Sequence, residues 1–319
     1  MPLVPRRNVG DFPLDVAPPP GRELFRFATV NDVHIGEAVF GRPNRYREPD
    51  DVEPYPARCL RAALREAKAW GAQRVVAKGD LTDEGVEEEF EWFAAVVRES
   101  LGNEYADSSF DIILGNHDVR DADGATVLRA RGLHVATSTE AIDVEGLRII
   151  LLPSAYEAEP HKGRWSPDDS AAALALAADA HANGRPVFVA THHYPHRVPL
   201  QYEHPPGVPW RLARPFLNEL DRVAPGSIVA CGHTHRHHRR HHKSLLITEI
   251  GSTKDYPGMW GGYTVYEGGI TQVPFPIVEP SARAWLDRTG GTLFGLWQWW
   301  SPGLTSHRSW SWEWPARLM

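Results

Sequence analysis

The feature of this 319-residue sequence that most restricts its fold is a set of five polar clusters, each directly after an apolar, strand-like segment. The clusters are Asp32-Val33-His34, Gly79-Asp80-Leu81-Thr82-Asp83, Gly115-Asn116-His117-Asp118, Thr191-His192-His193 and Gly232-His233-Thr234-His235. In open α/β sheets, ligands bind at the carboxyl ends of the strands. A fold that placed these segments side by side would bring all five clusters to one edge.

Strand-like and helix-like patterns alternate along the chain. Apolar runs predict strands at 24–30, 74–77, 110–114, 147–152, 186–190, 227–230, 245–250 and 262–266. Patterns typical of helices lie at 57–70, 84–99, 167–182 and 210–223, with Ser166 as the N-cap of the third. This order, with strands dominating the last part, predicts an α/β fold class with stacked mixed β-sheets flanked by helices.

The residue types in the clusters suit metal ions. Carboxylate, imidazole and amide oxygen together form a mixed donor set that favours Mn, Fe or Zn, and no cysteine takes part. Asp32 and His34 are two residues apart, as are His233 and His235. In an extended segment such residues point to the same side, so each pair could present two ligands to one ion or to neighbouring ions.

In order and spacing, the clusters resemble those of calcineurin-like metallophosphoesterases, whose pattern is D-x-H, G-D-x-x-D, G-N-H-D/E, a lone H and G-H-x-H. All five blocks occur over residues 32–235, and the resemblance covers residues 24–270. It implies a four-layer αββα sandwich and a metal-dependent phosphoesterase that attacks its ester with a metal-bridging hydroxide. Its cofactors would be two divalent or mixed-valence ions of Mn, Fe or Zn.

The same resemblance assigns roles to individual residues. The implied metal ligands are Asp32, His34 and His235 for one ion, Asn116, His192 and His233 for the other, and Asp80 as the bridge. His117 would assist the leaving group, and Asp83 would orient His117. His192 is preferred over His193 because the first histidine of such a pair is the usual ligand in the family.

The clusters also favour a substrate class. Asn-Asp-Val-His, Gly-Asn-His-Asp and Gly-His-Thr-His-Arg resemble the bacterial branch that includes cyclic-nucleotide and glycerophosphodiester phosphodiesterases. The arginine that protein phosphatases carry after G-D-x-x-D is absent, since Asp83 is followed by Glu84. The first hypothesis is therefore a small-molecule phosphodiesterase. The alternatives are a phosphomonoesterase or nucleotide pyrophosphatase, and a metal-bound binding or regulatory protein without turnover.

Composition sets further expectations. The formal net charge of -7 argues against general nucleic-acid binding. No apolar run approaches the roughly 20 residues of a membrane helix, so no membrane contact is expected and the cytoplasm is the default location. The two cysteines, Cys59 and Cys231, are predicted to be buried free thiols. The sequence leaves open whether the protein forms a homo-oligomer.

Three segments fall outside this pattern. Residues 1–23 are proline-rich and predict an irregular leader before a metallophosphoesterase domain at 24–276, and residues 37–56 predict either a lid loop or a plain surface insertion. Residues 235–243 are rich in His and Arg; they favour a solvated turn, with substrate contact through Arg236 as the alternative. The extension at 277–319 is tryptophan-rich, with strand-like stretches at 293–297 and 310–312. Its tryptophans favour packing on the core or a partner subunit, and a stacking platform for a base or sugar is the alternative.

Overall fold

The computed structural model describes residues 15–36, 53–157, 162–197 and 205–315. Most of the predicted leader and residues 37–52 of the predicted lid loop thus lie outside the described residues. The strands in chain order are β1 (Glu23–Val30), β2 (Arg74–Lys78), β3 (Phe110–Ile113), β4 (His134–Ala136), β5 (Glu140–Val144), β6 (Leu147–Leu151), β7 (Val187–Ala190), β8 (Pro195–His196), β9 (Val208–Pro209), β10 (Ile228–Cys231), β11 (His238–His242), β12 (Leu245–Glu249), β13 (Met259–Tyr266), β14 (Gly269–Pro276) and β15 (Trp310–Glu313). The helices are α1 (Tyr55–Trp70), α2 (Glu87–Leu101), α3 (Asn103–Ser109), α4 (Gly124–Ala130), α5 (Pro167–Ala182), α6 (Trp210–Val223), α7 (Pro280–Thr289), α8 (Trp297–Trp300) and α9 (Thr305–Arg308), with a 3-10 turn at Leu293–Gly295.

Most of the strands belong to two mixed sheets. The first has the order β15-β14-β13-β1-β2-β3-β4, in which β1 to β4 are parallel and β13 to β15 continue with antiparallel pairs. The second has the order β11-β12-β10-β7-β6-β5, with parallel central strands and antiparallel edge pairs. A short parallel pair, β8 and β9, lies apart from both sheets. The prediction of stacked mixed sheets is confirmed.

Aromatic side chains fill the space between the two sheets. The Phe27 ring of the first sheet stacks on Tyr263 at 4.7 Å between centroids and meets the edge of Phe188, from the second sheet, at 5.1 Å. All three side chains are fully buried, in a cluster with Val76 and Ile228. Such edge and offset contacts add to the free energy gained from burying apolar surface.

Helices cover the outer faces of the sheets. Leu60 of α1, Phe93 of α2 and Trp285 of α7 belong to one core with strands of the first sheet. Ala177 of α5 and Leu217 of α6 belong to another with strands of the second sheet. The layers are therefore helix, sheet, sheet and helix, as the resemblance implied. Within the described ranges, no helix is long and apolar enough to cross a lipid bilayer.

Local signals explain where the helices begin and end. Ser166 Oγ accepts a hydrogen bond from Asp169 N at 3.0 Å, which is the predicted N-cap of α5. Helix α2 begins at Glu87 rather than at the predicted Glu84. The reason is that the Glu89 carboxylate accepts the backbone N–H groups of Glu84 and Gly85, and Gly85 has a φ of 78° that breaks the helical path.

Two predictions of secondary structure are wrong. The His- and Arg-rich tract is not a solvated turn, because residues 238–242 form edge strand β11, paired with β12. The stretch at 293–297 is not a strand, because it folds as a 3-10 turn followed by the start of α8. The stretch at 310–312 does form a strand, since β15 extends the first sheet beside β14.

Both cysteines match their prediction. Cys59 lies on α1 and Cys231 ends β10, and both are free and buried. Burial raises the pKa of each thiol, so neither has the thiolate character that reactive cysteines need.

The contact between the sheets gives a stability prediction. Phe27→Ala should lower the free energy of unfolding by about 3–5 kcal/mol, because it removes a fully buried ring and leaves a cavity. Urea denaturation followed by circular dichroism measures this change. Phe294→Ala is the matched control, since that ring is 87% exposed and its loss should change stability little. Equal effects of the two substitutions would contradict this account of the core.

Candidate metal centre

The metal-ligand candidates lie on turns that leave the strand ends with unusual backbone angles. Five of the seven predicted ligands have positive φ: Asp32 (53°), His34 (47°), Asp80 (50°), His233 (83°) and His235 (55°). Residues other than glycine rarely adopt this conformation, and such strain concentrates at functional sites.

Hydrogen bonds hold three of these turns against one another. Asp32 N donates to Gly79 O at 3.0 Å, and His34 N donates to Asp80 O at 3.0 Å. The Asp32 carboxylate accepts His233 N at 2.9 Å, which ties the first cluster to the fifth. The loops after β1, β2 and β10 thus form one frame.

The first donor group contains Asp32, His34, His235 and Asp80. The Nε2 atoms of His34 and His235 are 3.1 Å apart. His235 Nε2 lies 3.7 Å from Asp32 Oδ1, and His34 Nε2 lies 3.6 Å from Asp80 Oδ2. All four side chains are buried.

The second donor group lies around His192 Nε2. This atom is 3.2 Å from Asn116 Oδ1, 3.3 Å from His233 Nδ1 and 3.3 Å from Asp80 Oδ2. Asp80 Oδ2 therefore belongs to both groups, and the structure brings all seven predicted ligands together.

These donor groups fit metal ions. Ligand atoms about 2.0–2.2 Å from a shared ion lie roughly 3.0–3.5 Å from one another, close to the separations found here. Each donor is a nitrogen or oxygen of the kind that Mn, Fe and Zn accept. Two carboxylates and four imidazoles buried together would be costly without bound cations.

In two of the histidines, the ring nitrogen that does not face the donor groups contacts an oxygen atom outside them. His192 Nδ1 donates to Lys78 O at 2.8 Å, and His235 Nδ1 lies 2.8 Å from Asp255 Oδ2. For His192 and His235, such partners fix the tautomer and aim Nε2 at a metal. His34 Nδ1 is 3.6 Å from Asp83 Oδ1, too far for a direct hydrogen bond.

Asp255 was missed by sequence reasoning. It lies in the turn between β12 and β13 and is buried beside Lys254, whose Nζ is 3.2 Å from its carboxylate. Burial alone would raise the pKa of Asp255, but Lys254 and His235 hold it below its usual range. Its sequence neighbours carry no ligand-like spacing, so only the fold reveals it.

His117 lies at the mouth of the site. Its Nδ1 is 2.7 Å from Asp83 O and 3.3 Å from Asp83 Oδ1, and its ring meets the His34 ring edge-on at 4.4 Å. Burial lowers the pKa of His117, but the Asp80 and Asp83 carboxylates outweigh it and raise the pKa. The arrangement suits a proton donor held in place by Asp83.

Arg120 is a second residue that the sequence did not reveal. Its Nη2 donates to His117 Nε2 at 2.8 Å, and its Nη1 donates to Asp83 O at 2.9 Å. The side chain is exposed, so it adds positive charge where an anion would enter. Its only sequence signal is its place three residues after His117.

His193 and Arg236 have surroundings of a different kind. His193 Nδ1 is 2.9 Å from Ser154 Oγ, and His193 also lies in a group of possible ligand atoms with His192 and His233. The contacts of His192 Nε2 with Asn116 and Asp80 favour His192 as the ligand. The Arg236 side chain is buried, with its guanidinium carbon 4.4 Å from the centre of the Trp300 ring. This placement weighs against the predicted substrate contact of Arg236, because the group is packed inside the protein.

Asp118 has a structural role. Its Oδ1 accepts the backbone N–H groups of Leu81 and Thr82, both at 2.9 Å, and its Oδ2 accepts Gly115 N at 2.8 Å. A buried carboxylate with these partners locks the second and third clusters together. The last residue of Gly-Asn-His-Asp is thus explained without metal contact.

Comparison with known proteins agrees with this geometry. A family model for calcineurin-like phosphoesterases matches residues 25–237. A crystal structure of a dimetal phosphatase from Danio rerio is similar with a TM-score of 0.61 at 14% identity, covering 81% of this chain and 98% of that one. Purple acid phosphatase PPD1 from yellow lupin seeds is similar with a TM-score of 0.55 at 12% identity, covering 82% of this chain and 52% of that one. No curated protein matches the chain by sequence.

The layered sheets and the paired donor groups at their edge define a metal-dependent phosphoester hydrolase. Since the family model spans most of the chain, the protein belongs to the calcineurin-like phosphoesterase family.

The hydrogen bond from His235 to Asp255 gives a prediction about metal affinity. Asp255→Asn should weaken metal binding about 10- to 100-fold, because the ring of His235 loses the carboxylate that orients it. Titration against a fluorescent chelator measures the affinity. Asp107→Asn is the control, since Asp107 also pairs with a basic side chain, that of Arg98, but lies on the exposed surface. Unchanged affinity in Asp255→Asn would show that the contact does not matter.

Proposed function

We propose that this protein hydrolyses a small-molecule phosphodiester, with a cyclic nucleotide as the first candidate. The observation that carries the proposal is the position of Asp80 Oδ2, which lies 3.3 Å from His192 Nε2 and 3.6 Å from His34 Nε2. One carboxylate oxygen between two imidazole groups is the arrangement expected of a bridge between two ions.

Two metal sites follow from the donor groups. Asp32, His34 and His235 would hold one ion, Asn116, His192 and His233 would hold the other, and Asp80 would contact both. When bound, such ions lower the pKa of nearby water and neutralise charge on the phosphate. The side chains supply fixed positions, since backbone hydrogen bonds and outer partners already orient them.

His117 and Asp83 would handle the proton. Arg120 Nη2 can donate to His117 Nε2 only while that nitrogen is unprotonated, so in the catalytic form Nε2 would carry a proton and turn from Arg120 to the oxygen that leaves the phosphorus. Asp83 would hold the Nδ1 side of the ring through the contacts at 2.7 and 3.3 Å. The released Arg120 guanidinium would place its charge beside the phosphate that approaches this ring.

The preference for a diester rests on the sequence around these residues. Asp83 is followed by Glu84 and Gly85 in place of the arginine of protein phosphatases. The clusters resemble those of the bacterial phosphodiesterase branch. The ions would be Mn, Fe or Zn, which suit the nitrogen and oxygen donors. A phosphomonoesterase is the second candidate, because both structural neighbours named above are described as phosphatases.

The substrate test compares bis(p-nitrophenyl) phosphate with p-nitrophenyl phosphate after reconstitution with Mn, Fe or Zn. The diester should be hydrolysed with the higher kcat/KM. Preference for the monoester would replace the first candidate with the second. Hydrolysis of neither, with metal bound, would favour a protein that binds phosphate esters without turnover.

His117→Ala tests the proton donor. The kcat for the preferred ester should fall about 10²- to 10⁴-fold, while the metal content stays the same, because His117 is not among the ligands. His134→Ala, at the far edge of the first sheet, is the control and should keep its activity. Loss of metal together with activity would instead make His117 part of the metal site.

Asp80→Asn tests the bridge. Both ions should be lost together, because one oxygen is shared by the two donor groups. Elemental analysis of the purified variant gives the number of ions per chain. Asp111→Asn removes another buried carboxylate, the partner of Arg74, and should keep both ions. Retention of one full equivalent by Asp80→Asn would refute a bridging role.

A further inference from the structure

A cavity of about 630 Å³ lies between strand β11 and the C-terminal segment, defined as residues 277–315. Its lining includes Tyr194, His238, Arg239, Arg240, Trp299 and His307. The volume falls within the roughly 300–1,000 Å³ of small-molecule sites. None of the roles assigned above uses these residues.

The walls of the cavity follow closely in sequence on candidate metal ligands. His238 follows the candidate ligand His235 by three residues, and Tyr194 follows His192 by two. Both walls therefore continue from loops that carry candidate metal ligands.

The C-terminal segment is attached to the same loop. The Arg236 guanidinium lies over Trp300, and His237 N donates to Ser301 O at 2.9 Å. At Gly303, which has a φ of 56°, a side-chain carbon would come within 2.1 Å of His237 O, so only glycine permits this approach. These contacts place Trp299 and His307 across from β11.

The charge of the lining favours an anion. Its positive charge comes from Arg239 and Arg240, since burial lowers the pKa of His307, and no described residue of the lining is acidic. The Glu249 carboxylate lies 3.2 Å from His238 Nδ1. Because the whole protein is acidic, this patch is a local concentration of positive charge.

Aromatic rings supply the second property. Tyr194 is covered by Arg240, whose guanidinium carbon is 4.6 Å from the ring centre. Trp299 keeps 39% of its surface exposed, whereas Trp297 and Trp310 are buried. An exposed tryptophan beside arginines is the combination that binds nucleobases by stacking and phosphates by charge.

We propose that this cavity is a subsite for a nucleotide-type phosphate ester, with the base on Trp299 and the phosphate beside Arg239. This assignment makes the C-terminal segment a determinant of specificity.

Tryptophan fluorescence titration tests the subsite on the full chain reconstituted with Mn, using AMP and ribose 5-phosphate as probes. Both carry the same phosphate, and only AMP carries a base. AMP should bind about 5- to 100-fold more tightly, the range expected for stacking of one base. Trp299→Ala should remove this difference, and Trp299→Phe, which keeps a ring, should retain part of it. Arg239→Gln should weaken both probes alike, whereas the exposed Arg222→Gln should change neither.

Two results overturn the subsite: equal affinity of the wild-type protein for the two probes, or a full AMP preference in Trp299→Ala. Hydrolysis of bis(p-nitrophenyl) phosphate is measured on the same samples. If the diester is hydrolysed but AMP is not preferred, the subsite proposal is wrong and the proposed function stands. If AMP is preferred but the diester is not hydrolysed, the proposed function is wrong and the cavity remains a nucleotide-binding site.

Discussion

The carboxylate of Asp80 is the constraint on which the rest of the site depends. Its Oδ1 accepts His117 N at 2.9 Å, while its Oδ2 faces His34 and His192. Burial would raise the pKa of Asp80, but His192 and His117 hold it well below its usual value. A buried anion is tolerated only with such partners. The clusters that follow β1, β3 and β7 therefore converge on the carboxylate of Asp80.

The fold keeps these groups in place against local preference. Left-handed backbone at a residue such as His34 or Asp80 costs about 1–3 kcal/mol, and it persists only where surrounding contacts leave no alternative. Here the contacts are the backbone bonds between the first two loops and the Asp118 carboxylate, which accepts three backbone N–H groups. The aromatic packing between the sheets fixes the strands from which the loops leave.

Features that depend on residues close together in sequence could be predicted, whereas features that depend on distant residues could not. The candidate ligands and the capped helix α5 depend on short patterns, such as Asp32-x-His34 after an apolar run, and these patterns can be recognised locally. Asp255 is different, because its partner His235 is 20 residues away and nothing between them marks the contact. Strand β11 looked like a polar turn, since pairing with β12 outweighs the composition of its His- and Arg-rich segment. Trp299 and Trp310 have similar neighbours, and only packing makes one exposed and the other buried.

The order of strands in the first sheet has a consequence for synthesis of the protein. Strand β1, which leads into Asp32, lies between β2 and β13, and Thr29 pairs with Gly261 more than 200 residues later. Half of its backbone partners thus come from the last third of the chain. Contacts so distant in sequence form slowly, because a long loop must close first. Until the last third has been synthesised, the edge of β1 that faces β13 has no partner. The first candidate metal ligands are thus made early, on a strand whose pairing is completed late.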